Sequence, residues 1–243
     1  MKYPNFFFEK KLWEKGFKRV AGVDEVGRGS FSGSVVAGCV VFDENLSVNR
    51  FKDIGIKIDD SKKLTSRQRE KSSEWIKKNA LAWGIGESCV FEINRKGMGK
   101  ATLSAFRRAI TDANKRLTSR IDYLLIDAYY IPYVRGIRMP AKYAKYKNRR
   151  TKKPSDIKYF GNELAIINGD EKSLSIGAAS IIAKVYRDNL MTKLGRLPKY
   201  KVYRWEKNKG YGTKEHRYAI KKYGTTKLHR KKFVETLLKK RKK

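Results

Sequence analysis

Residues 20 to 33 read Val20-Ala21-Gly22-Val23-Asp24-Glu25-Val26-Gly27-Arg28-Gly29-Ser30-Phe31-Ser32-Gly33. An apolar stretch, Arg19 to Val23, runs into two adjacent carboxylates and then at once into a Gly-Arg-Gly turn. A valine-rich stretch, Ser34 to Phe42, follows. Two apolar runs separated by a glycine-rich turn predict a pair of strands joined as a hairpin. Carboxylates at the end of a buried strand are costly unless a cation meets them. Arg28 is one such cation, but two carboxylates side by side point to a divalent metal. The flanking glycines let the backbone come close to a ligand and take positive φ. The stretch therefore reads as a metal–carboxylate site beside a backbone-lined cradle for nucleic acid or phosphate. The plain alternative is a hairpin whose charged turn pairs Glu25 with Arg28. Neighbouring side chains on a regular strand point to opposite faces. Asp24 and Glu25 can therefore share a site only if the strand ends or bends there, as Gly27 permits.

Working outward, two further acids end apolar runs. Asp127 closes Tyr123-Leu124-Leu125-Ile126, and Asp170 follows Ile166-Ile167-Asn168-Gly169. In so basic a chain most acids are expected to be solvated partners of Lys or Arg. Strand-terminal acids converging on one sheet edge repel each other unless metal ions bind there. Such a set suits two-metal phosphodiester hydrolysis.

The rest of the chain alternates helix and strand. Phe6 to Lys15 has one apolar side and stops at Gly16, as a short helix does. Ser66 to Asn79 reads as a helix capped by Thr65 or Ser66. Ala80 to Phe91 reads as a strand weakened by Gly84 and Gly86, and Lys100 to Leu117 as an amphipathic helix. Ile121 to Ile126 and Asn162 to Ile167 read as strands, and Ser173 to Leu194 as a second long helix. Beyond a basic loop, Pro198 to Lys209, two short helices are expected near 214–222 and 227–240. This predicts an α/β fold with a mixed central sheet flanked by helices. The expected division is a catalytic domain over 1–195 and a small C-terminal helical, substrate-contacting extension over 196–243.

Residues 135–160 form a basic insertion, with ten Lys and Arg against Asp156 between Arg135 and Lys158. It leaves one acid-bearing strand and returns at another, so both its ends are expected beside the site.

The 243 residues carry 58 Lys and Arg against 24 Asp and Glu, a formal charge of +34. That excess predicts a polyanionic partner, most simply nucleic acid. No apolar run reaches the length of a membrane span. The N-terminus does not read as a secretory leader, and only Cys39 and Cys89 are present. A reduced, cytoplasmic protein is expected. Two Cys and two His scattered along the chain do not read as a zinc site. His216 and His229 are expected to cap helices or touch phosphate.

Asp24-Glu25-Val26-Gly27-Arg28-Gly29 after Ala21-Gly22-Val23 resembles the signature of the ribonuclease HII (type 2 ribonuclease H) family. Two more blocks resemble it: Ala178-Ala179-Ser180-Ile181-Ile182-Ala183-Lys184-Val185-Tyr186-Arg187-Asp188 and Gly210-Tyr211-Gly212-Thr213-Lys214-Glu215-His216. The resemblance covers Phe8 to Phe233 and implies a ribonuclease H-like fold. Type 3 enzymes carry Gly-Lys-Gly where this chain has Gly-Arg-Gly. The resemblance further implies a metal-dependent endonuclease that hydrolyses the RNA strand of RNA–DNA hybrids. It also implies cutting of duplex DNA 5′ to embedded ribonucleotides, leaving 3′-hydroxyl and 5′-phosphate ends.

Asp24, Glu25, Asp127 and Asp170 would be its catalytic residues, holding two Mg²⁺ or Mn²⁺ ions. The 127–170 stretch departs most from the family, so Asp170 is placed by its Asn-Gly-Asp turn. Asp188 is the second candidate for that place, although an ion pair with Arg187 or Lys184 is the favoured reading. Gly27, Arg28 and Gly29 would read the 2′-hydroxyl, and Tyr211 would sit at the RNA–DNA junction. Lys62, Ser180 and Lys184 are candidate phosphate contacts. A monomer is expected, with RNA–DNA hybrid or ribonucleotide-containing duplex as partner and no membrane. A non-catalytic basic nucleic-acid-binding protein, or another ribonuclease H-like nuclease, is the alternative.

Overall fold

A computed structural model of the chain describes residues 3–46, 54–128 and 162–238. The chain opens with α1 (Phe7–Trp13), β1 (Val20–Val26) and β2 (Val35–Val41). Then come α2 (Ser66–Asn79), β3 (Ala82–Ser88), α3 (Val90–Lys96), α4 (Met98–Asn114), β4 (Tyr123–Asp127) and β5 (Glu163–Ile166). The long helix α5 (Leu174–Arg196) follows, and then α6 (Trp205–Asn208), α7 (Lys214–Tyr223) and α8 (Lys231–Leu238). The five strands form one mixed sheet in the order β3-β2-β1-β4-β5. The first three pair antiparallel, and β4 and β5 run parallel to β1. This is the mixed α/β architecture expected from the sequence.

Each face of the sheet has its own core. Val20, Val40 and Leu125 pack with α1, α2 and α5 on one face. Ala21, Val23, Cys39, Leu124 and Ile126 pack with α4 on the other. The strand period of two therefore assigns Asp24 and Asp127 to the α5 face, and Glu25 to the α4 face.

Helix α5 lies directly on the strands because two residues there have no side chain. A Cβ on Gly22 would stand 2.0 Å from the Ser175 carbonyl carbon, and one on Gly38 2.2 Å from the Ala179 oxygen. Gly84 and Gly86 do the same for α4. A Cβ there would meet the backbone oxygens of Ala109 and Ala105 at 2.2 and 2.0 Å. The glycines expected to weaken β3 are instead its helix-packing surface.

Thr65 caps α2 through a full capping box with Gln68, as the sequence suggested. Three expectations are corrected. The strand expected over Ala80 to Phe91 stops at Ser88, and Val90–Lys96 coils as α3 behind the extended Cys89. The loop expected over Pro198 to Lys209 contains a 3-10 turn, Pro198–Tyr203, and then α6. The basic insertion lies outside the described residues, but its anchors do not. Because β4 and β5 are parallel, with Leu124 opposite Glu163, the connection leaves at one edge of the sheet and re-enters at the other. Of the described residues that flank it, Ala128 follows the acid-bearing end of β4 and Asn162 stands at the opposite edge.

The segment after α5 packs around Tyr200, Tyr203, Trp205, Ala219, Ile220 and Val234, with Met191 of α5 in the same cluster. Among the described residues no helix is long and apolar enough to cross a membrane.

Candidate active site

The parallel pairing of β1 with β4 places Val23 opposite Ile126. One step further on, Asp24, still within β1, and Asp127, the last residue of β4, come side by side at the carboxyl edge of the sheet. Open α/β sheets bind ligands at this edge. Asn168, in the left-handed region at φ 54°, turns the chain back after β5. The Gly169 N–H then donates to Asp127 Oδ1 at 2.7 Å, which brings Asp170 to the pair. Asp24 and Asp170 are buried, 5% and 6% exposed.

Burial first, then the Glu25 charge, holds the Asp24 carboxyl well above the usual range. A hydrogen bond from Ser180 offsets part of this, and Asp127 and Asp170 add to it. Burial also lifts Glu25 to about 7, Arg28 opposing it and Asp127 reinforcing it. Asp170 is raised by burial, then by Asp127 and Asp60, with Lys62 opposing. The four acids thus feel one another, with Asp127 the neighbour common to the other three.

They do not all share one face. β1 pairs regularly through Val26, and the chain turns only at Gly27, at φ +93°. Glu25 therefore stands across the strand from Asp24. Its Oε1 lies 3.4 Å from Arg28 Nη1, the ion pair of the plain alternative. Its Oε2 is buried without a hydrogen-bond partner. Among the described residues no three His, Cys, Asp or Glu side chains form a finished ligand group. The chemistry of the donors nevertheless fits a hard divalent cation. The donor set is all carboxylate oxygen, its members repel one another in a buried setting, and one buried oxygen lacks a partner.

The Gly-Arg-Gly loop and the Tyr211 turn form one body. Phe31 and Ser32 N–H donate to the Gly210 oxygen at 2.8 and 3.2 Å. Behind them lie two fully buried arginines, Arg187 and Arg230. Arg187 donates to the carbonyls of Ser32, Ser34 and Lys209 at 3.0–3.1 Å. Its guanidinium carbon lies 5.4 Å from the centre of the Tyr211 ring, and Lys184 Nζ 5.6 Å from it. Gly27 rests on this arginine: a Cβ there would meet Arg187 Nε at 2.1 Å. Gly29 is exposed, and Arg28 is half-buried.

Lys62 is exposed at the acid edge, with Nζ 3.9 Å from Asp170 and 3.6 Å from Asp60. Ser180 is buried behind Asp24, its hydroxyl 3.0 Å from that of Ser61. That placement corrects its reading as a phosphate contact. Lys184 donates to Asp188 at 2.9 Å, and Arg69 lies 3.8 Å from the same carboxylate. Asp188 is thus ion-paired with Lys184, one of the two partners the sequence offered, while Arg187 turns away to the carbonyls. His216 and His229 are buried, which corrects their reading as phosphate contacts. His216 Nε2 accepts from Trp205 Nε1 at 3.0 Å, and His229 Nδ1 accepts from Thr226 N at 2.9 Å.

The family model described as Ribonuclease HII matches residues 21–236. The chain belongs to the ribonuclease HII family. A ribonuclease HII of Caldanaerobacter subterraneus subsp. tengcongensis is 42% identical over 233 residues, 96% of this chain and 81% of that protein. The crystal structure of the ribonuclease H2 from Pyrococcus horikoshii OT3 superposes with a TM-score of 0.60 at 27% identity, covering 91% of this chain and all of that one. Bst-RNase HIII, solved in complex with Mn²⁺, shares the fold at a TM-score of 0.62 and 16% identity, over 92% of this chain and 71% of its own.

As a ribonuclease HII the chain is an endoribonuclease of the class that hydrolyses the RNA strand of RNA–DNA hybrids. Asp60, Arg187 and Arg230 are neighbours of the candidate site that the sequence does not assign to it. Asp60 lies within an Asp-Asp-Ser-Lys-Lys run rather than at a strand end, where acids are sought. Arg187 lies in the block that resembles the family but reads there only as a partner for Asp188, and Arg230 carries no local signal in a chain with 58 basic residues. Their burial depends on what folds over them.

Proposed function

We propose that this ribonuclease HII cuts duplexes on the 5′ side of a ribonucleotide, leaving 3′-hydroxyl and 5′-phosphate ends. It would act on a single ribonucleotide embedded in DNA as well as on a hybrid. The observation that carries this is the joining of the Gly27–Gly29 loop to the Tyr211 turn, through Gly210, beside the strand-end acids. A reader of ribose and a hydrolytic edge on one rigid body register a lone 2′-hydroxyl against the bond to be cut.

In this reading Asp24, Glu25, Asp127 and Asp170 hold divalent ions, Mg²⁺ or Mn²⁺. The oxygen-only donor set supports it, as does the Mn²⁺ complex of a protein with the same fold. Bound there, such ions supply an activated water and charge stabilisation at the leaving oxygen. The chain's own residues do the rest. Gly169 N–H fixes one oxygen of Asp127. Ser180 orients Asp24 from behind. Lys62, exposed at the acid edge, meets a phosphate. Lys184, held by Asp188 and lying over Tyr211, meets a second. Gly27, Arg28 and Gly29 contact the ribose, and Tyr211 stacks on the junction sugar or base. In this reading the enzyme acts as a monomer.

The test is a duplex DNA carrying one ribonucleotide, incubated with and without Mg²⁺. A single nick on its 5′ side, seen only with the ion, is expected. Cleavage of an all-RNA strand alone would confine the activity to hybrids. Equal cleavage in EDTA would remove the metal from the reading.

A further inference from the structure

The two buried arginines are unusual in their partners. Arg230 donates only to main-chain carbonyls: Nε to Gly33 at 2.9 Å, Nη1 to Arg28 and Ser30 at 2.8 and 2.9 Å, and Nη2 to Ser34 at 3.0 Å. Arg187 adds the carbonyls of Ser32 and Ser34 and reaches across to Lys209, next to the Tyr211 turn. Burying two neighbouring guanidiniums is costly, and Arg230 is pushed down to about 9 by its burial and then by the charge of Arg187. The seven carbonyl bonds offset that cost, and their effect on the loop is directional.

In a trans peptide the C=O of one residue and the N–H of the next point in opposite directions. Drawing carbonyls inward therefore turns the following amides outward. The loop obeys this. With the Ser30 carbonyl held inside, the Phe31 N–H meets the Gly210 oxygen at 2.8 Å. With the Ser32 carbonyl held inside, the Gly33 N–H meets the Leu228 oxygen at 3.0 Å. The Arg28 carbonyl is held in the same way, so the Gly29 N–H faces outward. Gly29 is exposed, nothing stands within 4 Å of where its Cβ would be, and no hydrogen-bond partner meets its N–H among the described residues.

We infer that Arg230, with Arg187 beside it, is a positioning residue for ribose recognition. By gripping the loop through its carbonyls it presents the Gly29 N–H as a donor to the 2′-hydroxyl oxygen of the substrate. The inference rests on the ribonucleotide reading above. It assigns that specificity to a residue of the C-terminal segment, some two hundred positions from the loop it holds.

The test measures affinities of the full-length chain in Ca²⁺ for two duplexes of one sequence, one all-DNA and one with a single ribonucleotide. Wild type should prefer the ribonucleotide by about fivefold, the worth of one net hydrogen bond. Arg230→Lys keeps the charge but cannot span four carbonyls. It should bind all-DNA duplex like wild type and lose the preference. A merely structural defect would weaken both affinities together and leave their ratio unchanged. A wild type without preference would overturn the ribonucleotide reading itself. A preferring wild type whose Arg230→Lys variant also prefers would overturn the positioning role. Should the variant not fold, the wild-type Gly29 amide resonance decides. It should shift and gain exchange protection with the ribonucleotide duplex and not with the all-DNA one. Indifference of that amide to the ribose would end the proposal.

Discussion

At the scale of single residues, three of the four acids were legible because each follows an apolar run to its end. What the pattern could not fix was the side on which each emerges. Glu25 lies across β1 from Asp24, since the strand continues to Val26 before it turns. The grip of the arginines on the loop, and the burial of both histidines, depend on segments distant in sequence, so even the family-like block that holds Arg187 did not disclose them. The roles of the acids separate by substitution. Asp127→Asn can still accept from the Gly169 N–H, so the turn and the fold should persist. Its cleavage rate should fall by more than about a hundredfold, since changing even an outer-shell partner of a metal can cost that much. Hybrid binding should be retained. Asp170→Asn should behave alike, and Asp188→Asn should lose far less, since Asp188 is committed to Lys184 and Arg69 and its loss only loosens a phosphate contact. Single-turnover rates on one hybrid rank the three. An inactive Asp188→Asn beside an active Asp170→Asn would exchange their places.

At the scale of elements, the hairpin, the three long helices and the parallel strands were readable from apolar runs and caps. Of the small C-terminal pieces, α7 and α8 were read near their places, whereas the 3-10 turn Pro198–Tyr203 and α6 were not, since their order comes from Tyr203, Trp205 and the histidines packing on one another. Two contacts hold this arrangement together, and each can be tested. Gly22 admits α5 against β1 with no space for a methyl group. Gly22→Ala should destabilise the fold by about 1–3 kcal/mol or more, the usual cost of overpacking a core. Denaturant unfolding with an unchanged midpoint would show that α5 can lift freely off the sheet. The histidine pair ties α7 to the turn before α8. His229 Nδ1 accepts from the Thr226 N–H, so the neutral ring carries its proton on Nε2, 3.3 Å from His216 Nε2, and a second proton would fall on Nδ1 against that N–H. Burial, then the neighbouring His216, lowers His229 to about 4. The unfolded chain therefore takes this proton first. The pair's stabilisation is full above about 6.5, the ordinary histidine value, and is lost as pH falls toward 4. Raised carboxyls such as Glu25 act in the opposite sense over part of this range. The informative quantity is thus the difference between wild type and His229→Gln. Between pH 7 and 5 the melting temperature of the variant should fall less than that of wild type. Parallel curves would show that the pair does not titrate on unfolding.

At the scale of the whole molecule the dominant quantity is charge. A formal +34 on 243 residues attracts any polyanion, and the site must add selectivity to an affinity that has none. The sheet topology divides these tasks. The loop proposed to read ribose, gripped through its carbonyls by Arg187 and Arg230, and the acids occupy one edge. The basic insertion departs from that edge after Asp127 and returns to β5 at the opposite one. Because the described residues that flank it stand at opposite edges, we expect its cations to serve non-selective attraction rather than the chemistry. Replacing Lys142 to Lys153 with a Gly-Ser linker should therefore weaken binding of any duplex, most strongly at low salt. For each phosphate that the linker leaves without its cation, the log–log salt dependence should flatten by about 0.9. The ratio of single-ribonucleotide to hybrid cleavage should not move, because the Gly27–Gly29 loop and Tyr211 are untouched. Binding isotherms across a salt series, alongside the two cleavage rates, measure both quantities on one protein. A salt slope equal to that of wild type would mean the insertion does not meet nucleic acid. A changed cleavage ratio would mean that the insertion also shapes the site it leaves.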